Sequence, residues 1–280
     1  MNNGILTQYP EPVAMPYGLL GNPQPSPVIN VVDYDAKRYI DAIEALDFQP
    51  LEPKVRAAIN AFVVGCKADG NWTAIKAACI MAGARTLTGA LTPLVGAAPT
   101  NFNFVTGDYN RKTGLRGNGT NKYLNSNRNN NADPQNSQHL AIYVSTATTS
   151  AGGYPTYVGT GQGGTGSSVI GRFLGNAGMY IRSRNTNIET PSNATGFVGI
   201  SRAASANFTY RAFSANTTYT RTSEAPFNAS LGVFLDGNAL GSTTYNDGVM
   251  AFYSIGESLD LAKLDARVTT LIQTFATAIL

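Results

Sequence analysis

Side chains able to do chemistry are sparse in this chain. His139 is the only histidine, Cys66 and Cys79 are the only cysteines, and 17 acidic residues are spread over 280 positions. A Ser-His-Asp relay would have to run through His139, and no Gly-x-Ser-x-Gly elbow is present. One histidine leaves zinc almost no ligands, so the sequence predicts no metal and no cofactor. The cysteines read as buried thiols, with a bridge open to them if geometry allows it. Sugar hydrolysis needs two carboxylates held about 5–10 Å apart. Between residues 134 and 256 the only acids are Glu189, Glu224, Asp236 and Asp247, and the last two belong to Asp-Gly turn dipeptides. Catalysis is therefore not expected, and a carbohydrate-active enzyme is the weakest functional reading. Glu257, Asp260 and Asp265, with Asp247 before them, are candidate Ca²⁺ ligands, although helix-dipole pairing and solvation explain the first two more simply. Gly161-Gln162-Gly163-Gly164-Thr165-Gly166 looks like a phosphate-cradling loop but lacks the following Lys, so it reads as a flexible connection.

Binding chemistry is better represented. Of 27 aromatic residues 14 are Tyr, whose flat apolar face and polar tip suit contact with sugar rings or with another protein. In the run from Gly178, Met179 and Ile181 alternate with Tyr180, Arg182 and Arg184, which predicts one core face and one wet face. Tyr180, Arg182 and Arg184, together with Tyr154 and Tyr157 near a Gly-rich loop, are the candidate glycan contacts, by aromatic stacking and Arg hydrogen bonding. Tyr210 and Tyr219 are weaker candidates of the same kind.

The surface these residues sit on must be mostly neutral, since charged residues are only 13% of the chain. Hydrophobic residues at 43% and a net charge of +3 are incompatible with wholesale disorder. Residues 1–99 hold 7 basic and 8 acidic groups, residues 100–225 hold 11 and 4, and residues 226–280 hold 2 and 5. The central excess is spread as single arginines without a basic run, so no nucleic-acid partner is expected.

The elements that would position these residues fall into three segments. Residues 1–32 contain six prolines and almost no charge, which predicts an extended arm. Ile5, Leu6, Tyr17, Leu19, Leu20, Val28 and Ile29, with Val13, Met15 and Val31, give that arm apolar side chains it cannot bury alone, and this points to an assembly contact. Residues 33–97 read as a helical segment. Tyr39, Ile40, Ile43 and Leu46 recur at helical spacing, as do Val55, Ile59, Phe62, Val63 and Cys66, and Trp72, Ile75, Cys79 and Ile80 suggest a third short helix. Residues 98–280 read as a β-sandwich closed by a helix. Its clearest strands are 139–144, 169–174, 178–183, 196–202, 208–214, 230–235 and 249–254, separated by Gly, Asn, Ser and Pro. The Asn-rich stretch 125–138 reads as a surface loop, Asp236-Gly237 and Asp247-Gly248 as turns flanking a hairpin, and Ser258 as the cap of an amphipathic last helix. The helices are expected at one end or edge of two packed antiparallel sheets. Residues 1–20 show neither part of a secretion leader, and no apolar run is long enough to cross a bilayer, so neither export nor membrane insertion is predicted.

The run Gly248-Val249-Met250-Ala251-Phe252-Tyr253-Ser254-Ile255-Gly256-Glu257-Ser258-Leu259, followed by a helix, resembles the closing strand and helix of concanavalin A-like, laminin-G-like sandwiches in tailed-phage virion structural proteins. So do Ala98-Pro99-Thr100-Asn101-Phe102-Asn103-Phe104, the stretch from Asp108 to Leu115, Asn118-Gly119 and Lys122-Tyr123-Leu124. The resemblance runs from about Tyr39 to the end. It implies a mainly β fold, a concanavalin A-like antiparallel jelly-roll sandwich with N-terminal helices and a C-terminal helix. It further implies a virion component assembled in the host cytoplasm, either a host-facing tail fibre or baseplate part binding glycan, or a capsid decoration or cement protein without sugar binding. Other virion proteins and further copies of the chain, as a homo-oligomer and most plausibly a trimer, are the implied partners. The metal ligands of calcium-dependent members have no placed counterpart here.

Overall fold

In a computed structural model of the protein, the described residues are 32–149, 153–161, 164–173, 178–192, 195–237 and 244–280. The arm positions from Ile5 to Ile29 lie outside them, as does the middle of the hairpin expected between Asp236 and Asp247. Residues 32–280 form one compact unit.

Two helices open this unit. Asp33 caps α1 (Tyr34–Asp47) by accepting the Asp35 N–H, and Pro53 starts α2 (Pro53–Ala68) at the position where its missing N–H costs nothing. The chain then enters β1 (Ile75–Ile80), the short helix α3 (Leu87–Ala90), β2 (Pro93–Val95), β3 (Thr100–Phe102), β4 (Tyr109–Asn110), β5 (Gly114–Arg116) and β6 (Tyr123–Asn129). There follow β7 (Gln138–Thr146), β8 (Thr156–Thr160), β9 (Ser167–Phe173), β10 (Gly178–Asn185), β11 (Gly196–Arg202), β12 (Asn207–Ala212), β13 (Ala215–Thr220), β14 (Ser230–Val233) and β15 (Val249–Gly256). Helix α4 (Leu261–Ala278) closes the chain, and its cap is Asp260, which accepts the Ala262 and Lys263 N–H groups. Ser258 instead donates its backbone N–H to the Ser137 hydroxyl.

All strand pairings are antiparallel. The first sheet runs β13-β12-β11-β7-β15-β1-β2, with β5 on β15 and β4 on β5; the second runs β10-β9-β8-β14-β6-β3. The expected sandwich is therefore present, with a third layer on one side. Leu140, Ile142 and Val144 of β7 face the second sheet with Tyr253 and Ile255 of β15 and with Val158, Ile170, Met179 and Ile181. Ala141 and Phe252 point the other way, into a second core with Ile40, Ile59, Phe62, Leu264, Val268 and Phe275 of the helices. Helices α1, α2 and α4 thus cover a sheet face, where an end or edge position was expected. The central strands are apolar on both faces, so neither face is stable against water.

Two further expectations are corrected. Residues 75–80 form a strand, preceded by the turn Trp72–Ala74, in place of a third helix. Covered on both sides, this strand is apolar at nearly every position, and a short continuous apolar run has the same pattern in a buried helix. The Asn-rich stretch is a surface loop only in part: residues 123–129 are strand β6, and Asn130, Asp133 and Gln138 are buried, while Asn127, Asn129, Asn131 and Asn136 are exposed. Arg128 and Asp133 pair within it, which lets polar residues go inside.

Candidate functional site

Four of the five predicted contact residues are interior. Tyr157 is fully buried in the inter-sheet core, its hydroxyl accepts the Thr148 N–H at 2.9 Å, and burial pushes its pKa up to about 12. Tyr180 is buried with its ring over Gly171, where an added Cβ would lie 2.1 Å from the ring. Its hydroxyl bonds to the Thr156 hydroxyl and to the Tyr154 carbonyl, the latter at 3.1 Å. Arg182 is 7% exposed and donates to the Ser167 hydroxyl at 3.1 Å. Arg184 has no exposure and donates to the carbonyls of Asn130, at 2.7 Å, and Pro134. Tyr154 alone is half-buried, with ring centroids 5.5 Å from Phe173 and 5.4 Å from Tyr180.

The wet face expected for β10 is therefore corrected to a covered one. The strand does alternate, but residues 130–134 and Glu224 close over its second side at Arg184. Glu224 donates its N–H to the Arg184 carbonyl and accepts the Gly166 N–H, while Asp236 accepts the Gly161 N–H. The Gly-rich run read as a flexible connection is thus tied at Gly161 and Gly166 to two carboxylates. Burial lowers the Arg184 pKa to about 10, with Asp133 opposing the shift.

Remaining chemistry is structural as well. Glu189 pairs with Arg221 at 2.5 Å, and both Glu224 oxygens are engaged, by the Gly166 N–H and the Thr186 hydroxyl. Among the described residues, no three of His, Cys, Asp and Glu come together as a metal site, and no helix is long and apolar enough to cross a membrane. Cys66 and Cys79 are free and buried, and burial pushes the Cys66 thiol up to about 12.

Exposed aromatic rings lie elsewhere, at Tyr34, Phe48 and Phe213 and, beside a second ring, at Phe102 on the edge of the second sheet. Strand β3 pairs with β6 so that Phe102 stands opposite Tyr123, and their rings stack at 4.3 Å with planes 3° apart. Tyr245 leans on Tyr123 at 6.2 Å. Phe102 remains 37% exposed at this edge. Around the stack, Asn103, with φ +68°, donates its side-chain amide to the Asn121 carbonyl, the Asn118 side chain accepts the Thr120, Asn121 and Lys122 N–H groups, and Lys122 pairs with Asp108 at 2.5 Å. The loops are thus held by their own amides around a flat apolar face. That arrangement can stack on a planar or ring-shaped ligand and holds neither a nucleophile nor a free acid pair. Neither ring sits in a legible strand pattern, because β3 is only three residues long and the polar run after Leu124 makes β6 read as a loop.

Comparison with solved structures finds distant likenesses. The CBM40 of the Ruminococcus gnavus IT-sialidase is 13% identical, over 56% of this chain and 97% of that one, with a TM-score of 0.39. The enzymatically active domain of tailspike protein 2 of bacteriophage CBA120 is 15% identical over 62% of this chain and 29% of its own, with a TM-score of 0.39. The binding domain of botulinum neurotoxin serotype D is 9% identical, over 70% and 50%, with a TM-score of 0.44. No family model matches the chain. No curated protein matches it either.

Proposed function

We propose that this chain is a non-catalytic structural protein of a tailed-phage virion, a host-facing tail fibre or baseplate component whose sandwich contacts glycan through exposed aromatic rings. The observation that carries this reading is the Phe102–Tyr123 stack, held open at a sheet edge and ringed by Asn side chains. An exposed aromatic face beside amide groups meets the two demands of a sugar ring, an apolar C–H face and hydroxyls that seek hydrogen bonds. The stack also falls within one of the two segments, residues 98–124, that resemble phage virion proteins. The engagement of Glu189 and Glu224 by structural partners supports a binding role over hydrolysis.

The test is a glycan array with the purified chain and its Phe102→Ser variant. The expected outcome is binding to at least one glycan class, weakened about tenfold or more in the variant at unchanged thermal stability, with no sugar released. Stacking of one ring is worth roughly 0.5–1.5 kcal/mol beyond its buried area, which together account for a loss of that size. Array silence from a protein that still incorporates into particles would replace this reading by a decoration protein without sugar binding, and sugar release would overturn the non-catalytic part.

A further inference from the structure

Strands β12 and β13 are joined by two residues, Phe213 and Ser214, since Ala212 and Ala215 are paired. Their φ angles are +49° and +58°, the left-handed values that a two-residue hairpin turn of type I′ requires at both positions. Asn-Gly is the sequence that meets this requirement without strain, and a bulky ring is among the least suited. Phe213 has no compensating burial: it is 69% exposed and joins neither hydrophobic core. An aromatic residue held in a disfavoured conformation with its ring in water serves no packing need. Strained residues of this kind concentrate where a surface contacts a ligand.

Beside the ring lies an open groove of about 440 Å³, bounded by the hairpin tip, the ends of β7 and β11, and the last turns of α4. Tyr143, Ser145 and Gln273 bring a phenol, a hydroxyl and an amide to it, and Ala276 leaves the helix side low. At Gly196, with φ +81°, an added Cβ would meet nothing within 4 Å, so the floor is open there as well. Among the described residues that line the groove, none is charged. The hairpin is fixed relative to α4 by the buried Arg211–Asp265 ion pair at 2.8 Å, with Arg211 also donating to Asn216 and Thr269 to Asp265. Ring and groove are therefore positioned before any ligand arrives, which lowers the entropy lost on binding.

We infer that this groove is a second carbohydrate-contact site, distinct from the Phe102 edge, and that it takes a neutral saccharide whose ring stacks on Phe213 while Gln273, Ser145 and Tyr143 bond its hydroxyls. An uncharged lining gives no reward to a sialylated or sulfated sugar and would leave its charge uncompensated. The inference rests on the proposed glycan-binding reading, and the experiment separates the two.

Saturation-transfer NMR of the full chain is run with maltotriose, cellotriose and lactose as neutral probes and sialyllactose as the charged one. The double variant Phe213→Asn/Ser214→Gly installs the preferred turn, so a purely structural hairpin would melt at or above the wild-type temperature and bind as before. The expected result is that it melts at or above that temperature and binds the neutral probe at least tenfold more weakly. Ala276→Glu, on the exposed helix side, is expected to block the same probe without touching the turn. Unchanged neutral-sugar binding in both variants overturns the inference; if Phe102→Ser then removes that binding, the proposed function stands without this site. Absence of binding to every neutral probe overturns it too, and binding of sialyllactose alone would leave the proposed function intact.

Discussion

His139 has no exposed surface, and its two ring nitrogens lie 2.6 Å from the Glu257 carbonyl and 2.7 Å from the Ser254 hydroxyl. A carbonyl only accepts, so Nδ1 carries the proton and Nε2 accepts from Ser254. The ring is neutral, and burial lowers its pKa from 6.5 to about 4, against a raising contribution from the Glu257 carbonyl. In the unfolded chain it titrates near the ordinary value. The unfolded state thus takes up a proton first as pH falls. Stability is complete above about pH 6.5 and declines down to about pH 4, by roughly 3 kcal/mol at most for this group alone. Urea unfolding at pH 7.5 and pH 5 checks the prediction, and His139→Gln should be less stable at pH 7.5 yet show a smaller drop between the two. A steeper drop in the variant would sink it. The buried arginines follow a related logic. Arg202 has no exposure and no carboxylate partner among its bonds: Nε donates to the Ser183 carbonyl, and Nη1 lies 3.0–3.1 Å from the carbonyls of Ala204, Ser205, Asn207 and Arg221. Such a guanidinium ties several loop backbones together through its many donors.

At the scale of elements, β1 decides how the chain divides. It sits between β15 and β2, with Ile80 opposite Phe252, Cys79 opposite Tyr253 and Ala78 opposite Ser254. Phe252 in turn meets Phe62 of α2 edge to face at 5.9 Å. A cut before residue 98 would remove one of the strands paired with β15 and strip α1 and α2 from the core that holds Ala251 and Phe252. A chain of residues 98–280 is accordingly expected to lack a cooperative unfolding transition, whereas residues 33–280 keep one. Calorimetry on both fragments checks this, and a sharp transition in the shorter one would show that the sandwich is independent of its helices.

For the whole molecule the question is assembly. Residues 1–32 carry six prolines, a composition that predicts an extended segment unable by itself to bury apolar side chains such as Ile5, Leu6, Leu19, Leu20, Val28 and Ile29. Such a segment loses little entropy on docking, because its prolines have already restricted it. Deleting residues 2–32 is expected to leave the melting temperature of the remaining unit within a few degrees and to abolish oligomerisation or incorporation into the particle. Light scattering and particle complementation read the two outcomes. Full assembly by the truncated protein would make the arm a mere terminus.

Patterns that are local are legible in the sequence. The sequence bounds β11 at 196–202, as the structure does, and places β7, β9, β10, β12, β14 and β15 to within a few residues, because β-branched and aromatic runs punctuated by Gly, Asn and Ser have few other meanings. The periodicity of α1, α2 and α4 is equally plain. What covers a face was not local. The alternation of Met179 and Ile181 with Tyr180, Arg182 and Arg184 is the same whether the second face meets water or residues 130–134 and Glu224, which reach Arg184 from 40 or more positions away. The strand at 75–80 carries the pattern of a buried helix until β15 and β2 flank it. Phe102 and Phe213, the two exposed rings that now carry the binding proposals, became visible only when strand register placed one opposite Tyr123 and the other at the tip of a two-residue turn. Local order follows from side-chain spacing and backbone preference; burial and exposure depend on which distant segment arrives, and tertiary structure alone decides that.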